Sequence, residues 1–360
     1  MSATSNDLRI KLTSIAYMVL MAVCGMVLVA IGSTFEELSH QVGKDPTQLG
    51  SIFISRGIGA IIGAISCSKF YFWLPGNVVL ISSLTSIVAV LLALPFCKLI
   101  SQLHFSFFIL GLGTSVTDTG CQLMTRRLHG IYAGPWLGAN AAAFGISAAL
   151  VPLLELISKT MITRYFIFSS IAFFGEILLI YVSQLPVQYL EENKVVYDSI
   201  VNNNKITPTN ENSELIHLPL SNSIENKVTE YNIKWVTEIL IALMLFCYVG
   251  GGVSATAYIE PYISETQVIK TNHKEQLFFL FWFMITIGRM IGMFVQRAIT
   301  TDESLIIIIF IFSIGGFLSM SLVIIYPHSS LALWVGCGMY GFFHGPTVGK
   351  IKIHCMYYVE

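Results

Sequence analysis

Ten stretches of about 20 apolar residues, with few charges among them, set the terms for this chain. They run at roughly 13–37, 48–71, 77–97, 104–125, 133–156, 163–184, 235–259, 275–296, 304–326 and 331–349. A helix needs about 20 apolar residues to cross the hydrocarbon of a bilayer. Only helices and closed barrels satisfy their backbone polar groups in lipid, so these runs predict an all-α membrane protein with the lipid bilayer as its solvent. Composition agrees. Charged residues make up 11% of the 360 and hydrophobic ones 54%, whereas soluble domains carry about 25% charged residues. A net charge of −1 gives nucleic acid nothing to bind. The seven cysteines are scattered, six of them in apolar runs, and read as small core residues, not as a disulfide or metal framework. No cofactor is implied. The polar N-terminus lacks the short apolar region and cleavage site of a removable signal peptide.

One long polar segment, 185–233, interrupts the series. It is rich in Asn, Glu and Ser and has no amphipathic period, so it reads as a flexible linker. It divides the chain into an N-terminal six-helix bundle (1–184) and an incomplete C-terminal bundle (234–352), followed by a tail (353–360). With the N-terminus inside, Arg9, Lys11, Lys69, Arg126, Arg127, Arg297, Lys350, Lys352 and four linker lysines lie on the cytoplasmic side. Lys44, Lys98, Lys159, Arg164, Lys270 and Lys274 lie outside. The bias favours cytoplasmic N- and C-termini and a cytoplasmic linker.

Two arginines sit inside apolar runs in the same setting: Arg56-Gly57-Ile58-Gly59 in span two and Arg289-Met290-Ile291-Gly292 in span eight. Spans four and ten carry the glycine pairs Gly111/Gly113 and Gly336/Gly338. Each match is six spans apart, which predicts two parallel repeats. Such repeats are characteristic of secondary transporters whose site lies between them near the bilayer midplane. Spans seven to ten match one to four, leaving five and six without counterparts; the expectation is that two helices are missing.

Ionisable groups in a membrane helix cost roughly 2.5–3.5 kcal/mol on insertion scales, so each asks for a use. Arg56 reads as a donor to substrate, as a partner for Asp118, or as a structural pin; Arg289 reads the same way, with the pin favoured. Thr114, Asp118 and Gln122 recur every fourth residue and form one polar stripe, suited to a sugar hydroxyl, Na⁺ or H⁺. Alternatively, Asp118 only neutralises Arg56. Trp136, Asn140 and Phe144 form a second stripe, in which an aromatic face and an amide suit a sugar; a membrane-interface tryptophan and helix packing are the plain alternatives. Gly250, Gly251 and Gly252 weaken span seven by about 1 kcal/mol each against alanine, suiting either a gating hinge or a packed bend. Tyr248 precedes them. Glu36 and Glu37 end span one and read as solvated or as coupling carboxylates. Glu176 has no partner legible in the sequence. His344 reads as a satisfied bundle histidine sooner than as a proton relay. "GPTVGKI" at 345–351 is not a phosphate loop: it has three residues between its glycines and Ile where Ser or Thr is required. No nucleophile–base or metal spacing marks an enzyme.

In order along the chain stand "GSTFEEL" (32–38), "LGSIFISRGIGAIIGA" (49–64), "LPGN" (74–77), "VTDTGCQ" (116–122), "GPWLGANAAAFG" (134–145), "CYVGGG" (247–252), "FWFMITIGR" (281–289) and "WVGCGMYGF" (334–342). Together they resemble the branch of the major facilitator superfamily that holds sodium-dependent glucose transporters and the fucose permease. The resemblance implies the major facilitator fold with 6 + 4 helices here in place of twelve, alternating access, and cotransport of a hexose with Na⁺ or H⁺. It implies functional roles for Asp118, Gln122, Glu37, Trp282, Thr286 and Arg289. With the residue reading above, the expected substrate contacts are Asp118, Gln122, Trp136, Asn140, Tyr248, Trp282 and Thr286, the expected cation-coupling residues Asp118 and Glu37, and the expected structural or gating residues Arg56, Arg289, Gly250, Gly251 and Gly252. The plasma membrane is the expected location. Where relatives often carry His and Glu, this chain has Ala141 and Gly252. A non-transporting membrane protein, such as a receptor or scaffold, is the competing expectation.

Overall fold

The computed structural model describes residues 2–158, 160–184, 250–259, 261–269, 273–298 and 302–357, with a few positions between 239 and 248. The expected linker (185–233), much of span seven and Glu260 lie outside the described residues, as do the side chains of Lys350 and Lys352. The helices that matter here are α1 (Ser2–Ser33), α2 (Ser51–Trp73), α3 (Gly76–Ala93), α4 (Ile100–His129), α5 (Ala133–Ile157) and α6 (Met161–Ser183). They continue with α7, described over 250–259, then α8 (Lys274–Ala298), α9 (Asp302–Ile325) and α10 (Ser330–Tyr357). Among the described residues seven helices are long and apolar enough to cross a membrane, from Leu8–Ser33 to Lys274–Gly292.

Their ends follow from local chemistry. Leu74 takes an extended conformation before Pro75 and stops α2. The Gln102 side chain accepts from the backbone N–H groups of Lys98 (2.9 Å) and Leu99 (3.1 Å) and so starts α4. Gly130, at φ +54°, ends it. Thr160 caps α6 by accepting from the Thr163 N–H at 3.4 Å.

α1 is the axis of the N-terminal group. Ala16, Leu20, Val23, Val27 and Ala30 are fully enclosed, and the helix packs on α4, α5 and α6. α6 lies across α1 and α3: Gly175 faces Val19, Leu20 and Leu84, and Glu176, buried on the same helix, accepts from the Thr85 hydroxyl of α3. That hydroxyl is the partner the sequence did not show.

The repeat appears as repeated packing. α2 packs on α4 as α8 packs on α10, and α3 packs on α4 as α9 packs on α10. Glycines let the backbones come close at these contacts. A Cβ on Gly63 would stand 2.8 Å from Leu112 O, and Gly59 and Gly111 likewise meet Phe108 O and Arg56 O. In the second group, Gly345 approaches Ile285 O and would set a Cβ 2.7 Å from Arg289 N. Both arginines therefore sit where two helices come closest. Gly113 and Gly336 play matched parts, one admitting Ser83 O of α3 and the other Ser319 O of α9, with Cβ distances of 3.2 and 2.9 Å. Gly338 does less; its nearest neighbour is Leu280, at 3.5 Å. In lipid, where apolar burial drives little, such small-residue contacts hold helices together by packing.

The two groups meet through α5 and α8. A Cβ on Gly145 of α5 would lie 2.6 Å from the Thr286 hydroxyl of α8. A stripe of isoleucines on α2 (Ile54, Ile58, Ile61 and Ile65) is exposed, as suits a face turned to acyl chains.

Candidate functional site

The polar stripe of α4 forms as its spacing predicts, but its members divide. Thr114 donates to the Leu110 carbonyl at 2.6 Å, within its own helix. One turn on, Gln122 Nε2 donates to Asp118 Oδ1 at 2.9 Å. The amide thus fixes one carboxylate oxygen, while the carboxylate remains an acceptor.

Opposite stands α8. Its Arg289 comes within electrostatic reach of Asp118. Arg289 also lies over the ring of Phe144 on α5, with Cζ 4.9 Å from the centroid. A cation over an aromatic face is held by the ring quadrupole, by about 2 kcal/mol or more where water is excluded. One guanidinium thus rests against α5 of the other group. No local spacing could show this, since Phe144 lies 145 positions earlier in the chain.

One turn before Thr286 on α8 lies Trp282. Its side chain is 3% exposed and its Nε1–H finds no hydrogen-bond partner among the described residues; the Thr286 hydroxyl donates back to the Trp282 carbonyl at 2.9 Å. An unmet buried donor costs about 1–3 kcal/mol, so its retention calls for a reason.

The remaining candidates gather elsewhere. Trp136 does not stand beside Asp118. It stacks on His129 at the end of α4 (centroids 4.5 Å, 11°), and His129 Nε2 is 2.7 Å from the Ser14 hydroxyl of α1. Asn140, 2% exposed, donates to the Thr125 hydroxyl of α4 at 2.9 Å. Of the Trp136–Asn140–Phe144 stripe, only Phe144 reaches Arg289, and its role there was not read from the sequence. Tyr248 donates to the Phe343 carbonyl at 2.9 Å and lies flat on His344 (4.2 Å, 2°). With Ser313 and Tyr340, these two line a cavity of about 170 Å³ between span seven, α9 and α10. Of the expected hinge glycines, Gly252 is closed off by His344, Gly251 has the Tyr340 hydroxyl as its nearest neighbour, and Gly250 faces open space. Glu37 ion-pairs with Arg164 at the start of α6, at the far end of α1, whereas Asp118 is near the middle of α4. Glu36 is not merely solvated: it lies 4.0 Å from Lys274. Among the described residues no group of three or more His, Cys, Asp or Glu is set to hold a metal ion.

Comparison with known proteins places these features. Residues 13–358 match the family model described as Major Facilitator Superfamily. A sodium-dependent glucose transporter 1 of Xenopus laevis is 22% identical over 328 residues, 88% of this chain and 64% of its own length. Sodium-dependent glucose transporter 1A of Mus musculus is 28% identical over 130 residues, 36% of this chain and 31% of its own length. The chain thus spans less than two thirds of these relatives. Among solved structures, the partially occluded inward-open xylose transporter XylE from E. coli superimposes with TM-score 0.69 at 12% identity, covering 97% of this chain and 88% of that one. The proton:xylose symporter XylE bound to 6-bromo-6-deoxy-D-glucose gives 0.70 at 12% identity, over 96% and 81%. At this identity the likeness is one of fold.

Proposed function

The chain belongs to the Major Facilitator Superfamily, and on that footing we propose that it is a secondary carrier moving a hexose together with Na⁺ or H⁺ by alternating access. The observation that carries the reading is Arg289 of α8 lying over Phe144 of α5, where the two helix groups meet, within electrostatic reach of Asp118 on α4. A carboxylate held by Gln122 and an arginine resting on Phe144 flank a place that a cation and a polyol can each enter. The cation competes with Arg289 for Asp118. Sugar hydroxyls accept from Arg289 and from the unmet Trp282 Nε1–H, and donate to Asp118. The curated relatives' names, sodium-dependent glucose transporter, and the sugar-bound XylE structure support the substrate class.

In this reading the site consists of Asp118, Gln122, Phe144, Trp282, Thr286 and Arg289. Tyr248 and His344 back Arg289 from the second group, while Asn140 positions α5 on α4. Trp136, stacked on His129, belongs to the α4–α5 corner. The positive-inside bias sets the N-terminus, and with it the Lys69 end of the bundle, in the cytoplasm, and the plasma membrane is the location proposed. The test is uptake of labelled hexose into vesicles under an imposed Na⁺ or H⁺ gradient. Gradient-dependent uptake that Asp118→Asn abolishes supports the reading; a membrane-inserted protein that takes up no sugar under either gradient refutes it.

A further inference from the structure

Glu36 and Glu37 are neighbours in sequence but face different partners. Both belong to the short helix Phe35–Gln41 that follows α1. Glu37 pairs with Arg164 of α6, whose side chain is 6% exposed. Gln41 donates to the Leu94 carbonyl at 3.4 Å and to the Cys97 carbonyl, while Phe35 and Leu38 are buried. These contacts fasten the short helix to its own group. Glu36 reaches across to the other group: its Oε2 lies 4.0 Å from Nζ of Lys274, the first residue of α8, and both side chains remain partly exposed, at 37% and 26%.

Beneath that pair, one turn back on α1, is Gly32. A Cβ there would stand 3.1 Å from the Thr256 carbonyl of α7 and 3.4 Å from Cζ of Phe278 on α8. Thr256 and Phe278 are 3% and 5% exposed. The contact has two layers, a buried one with no side chain on the α1 side and a partly wetted ionic one above it.

We propose that this seam is the gate that closes the Glu36 end of the carrier, and that Glu36–Lys274 is its latch. The inference rests on the carrier reading above, whose orientation makes this the outer end. Its chemistry fits a contact that opens and closes repeatedly. A glycine backbone against a carbonyl separates without unlocking interdigitated side chains. A partly exposed ion pair contributes little and is readily rehydrated. The Glu37–Arg164 pair, by contrast, joins two elements of one group and does not break when the groups part.

The test measures distance, with no substrate and no gradient, so it stands or falls apart from transport. Spin labels go on Lys44→Cys of the first group and Glu265→Cys of the second, both exposed positions, in the full chain in lipid nanodiscs. Cys247, exposed, and Cys355 are replaced by serine. The proposal predicts that Glu36→Lys alone and Lys274→Glu alone each move population to a longer distance, changing the closed-to-open ratio by about two- to five-fold, the range an exposed pair sustains. The double exchange should return the parent distribution. Gly32→Leu, which wedges the buried layer, should lengthen the distance further. Single charge reversals that leave the distribution unchanged, a double exchange that stays long, or a Gly32→Leu distribution identical to the parent would each overturn it. Because the charge variants alter only partly exposed side chains, they keep the test decisive if Gly32→Leu fails to fold.

Discussion

Replacing Asp118 with asparagine exchanges one oxygen for nitrogen and removes one charge. The geometry allows its consequence to be worked out. Gln122 donates to Asp118 Oδ1 at 2.9 Å, and the asparagine Oδ1 keeps that acceptor. What changes is the charge that acts on Arg289, whose guanidinium stays on the Phe144 ring, 4.9 Å from its centroid. Both groups are half-buried, and a solvent-screened attraction of this kind contributes about 0–1 kcal/mol. The expected loss of stability is about 1 kcal/mol, roughly a five-fold change in the folded-to-unfolded ratio. The variant Asp118→Asn/Arg289→Gln removes both charges and should recover most of the loss without recovering transport. Stepwise unfolding by SDS in mixed lipid–detergent bicelles reads both differences. An Asp118→Asn protein as stable as the parent, or a double variant no more stable than the single, would refute the claim that these two charges act on one another across the interface.

Trp282→Phe removes the indole N–H and keeps the aromatic ring. Since that donor is unmet among the described residues, stability should hold or rise slightly, while the sugar dissociation constant, read by equilibrium dialysis with labelled hexose, should weaken about 10-fold, the worth of one hydrogen bond to substrate. Equal losses of stability and affinity would contradict that role. Gly63→Val forces branched methyls against the Leu112 backbone, where even a Cβ would stand 2.8 Å from the carbonyl, and overpacking costs about 1–3 kcal/mol; a thermal-shift assay should show a lower midpoint. Asn140→Leu leaves the Thr125 hydroxyl without its donor and should destabilise by about 1–2 kcal/mol, without altering which cation drives uptake.

The membrane helices were legible because each is a near-unbroken apolar run, and lipid admits few other readings of such a run. The repeat was legible because close helix approach demands glycine at fixed offsets from each arginine. Gly59, Gly63 and Gly113 lie where the spacing placed them, although in the second group the closest approach to α8 falls on Gly341 and Gly345 instead of Gly338. The Asp118–Gln122 bond was legible as a four-residue spacing on one helix. What escaped was every contact between distant segments. Arg289 finds Phe144 and Asp118, Trp136 turns to His129, and Glu36 and Glu37 part company, because helix packing decides which faces meet and periodicity states only which residues share a face. Trp282 entered through family resemblance alone; that its N–H is unmet is visible only once its neighbours are in place.

On the carrier reading, Asp118 and Arg289 flank a path that a sugar and a cation share. Sealed proteoliposomes holding this chain, given labelled glucose and an imposed Na⁺ or H⁺ gradient, should accumulate glucose above the external concentration under one of the two gradients. The accumulation should collapse when the gradient is dissipated and be absent in Asp118→Asn. Uptake no greater than in protein-free liposomes under both gradients, from protein shown to be folded, or gradient-driven accumulation undiminished in Asp118→Asn, would contradict it.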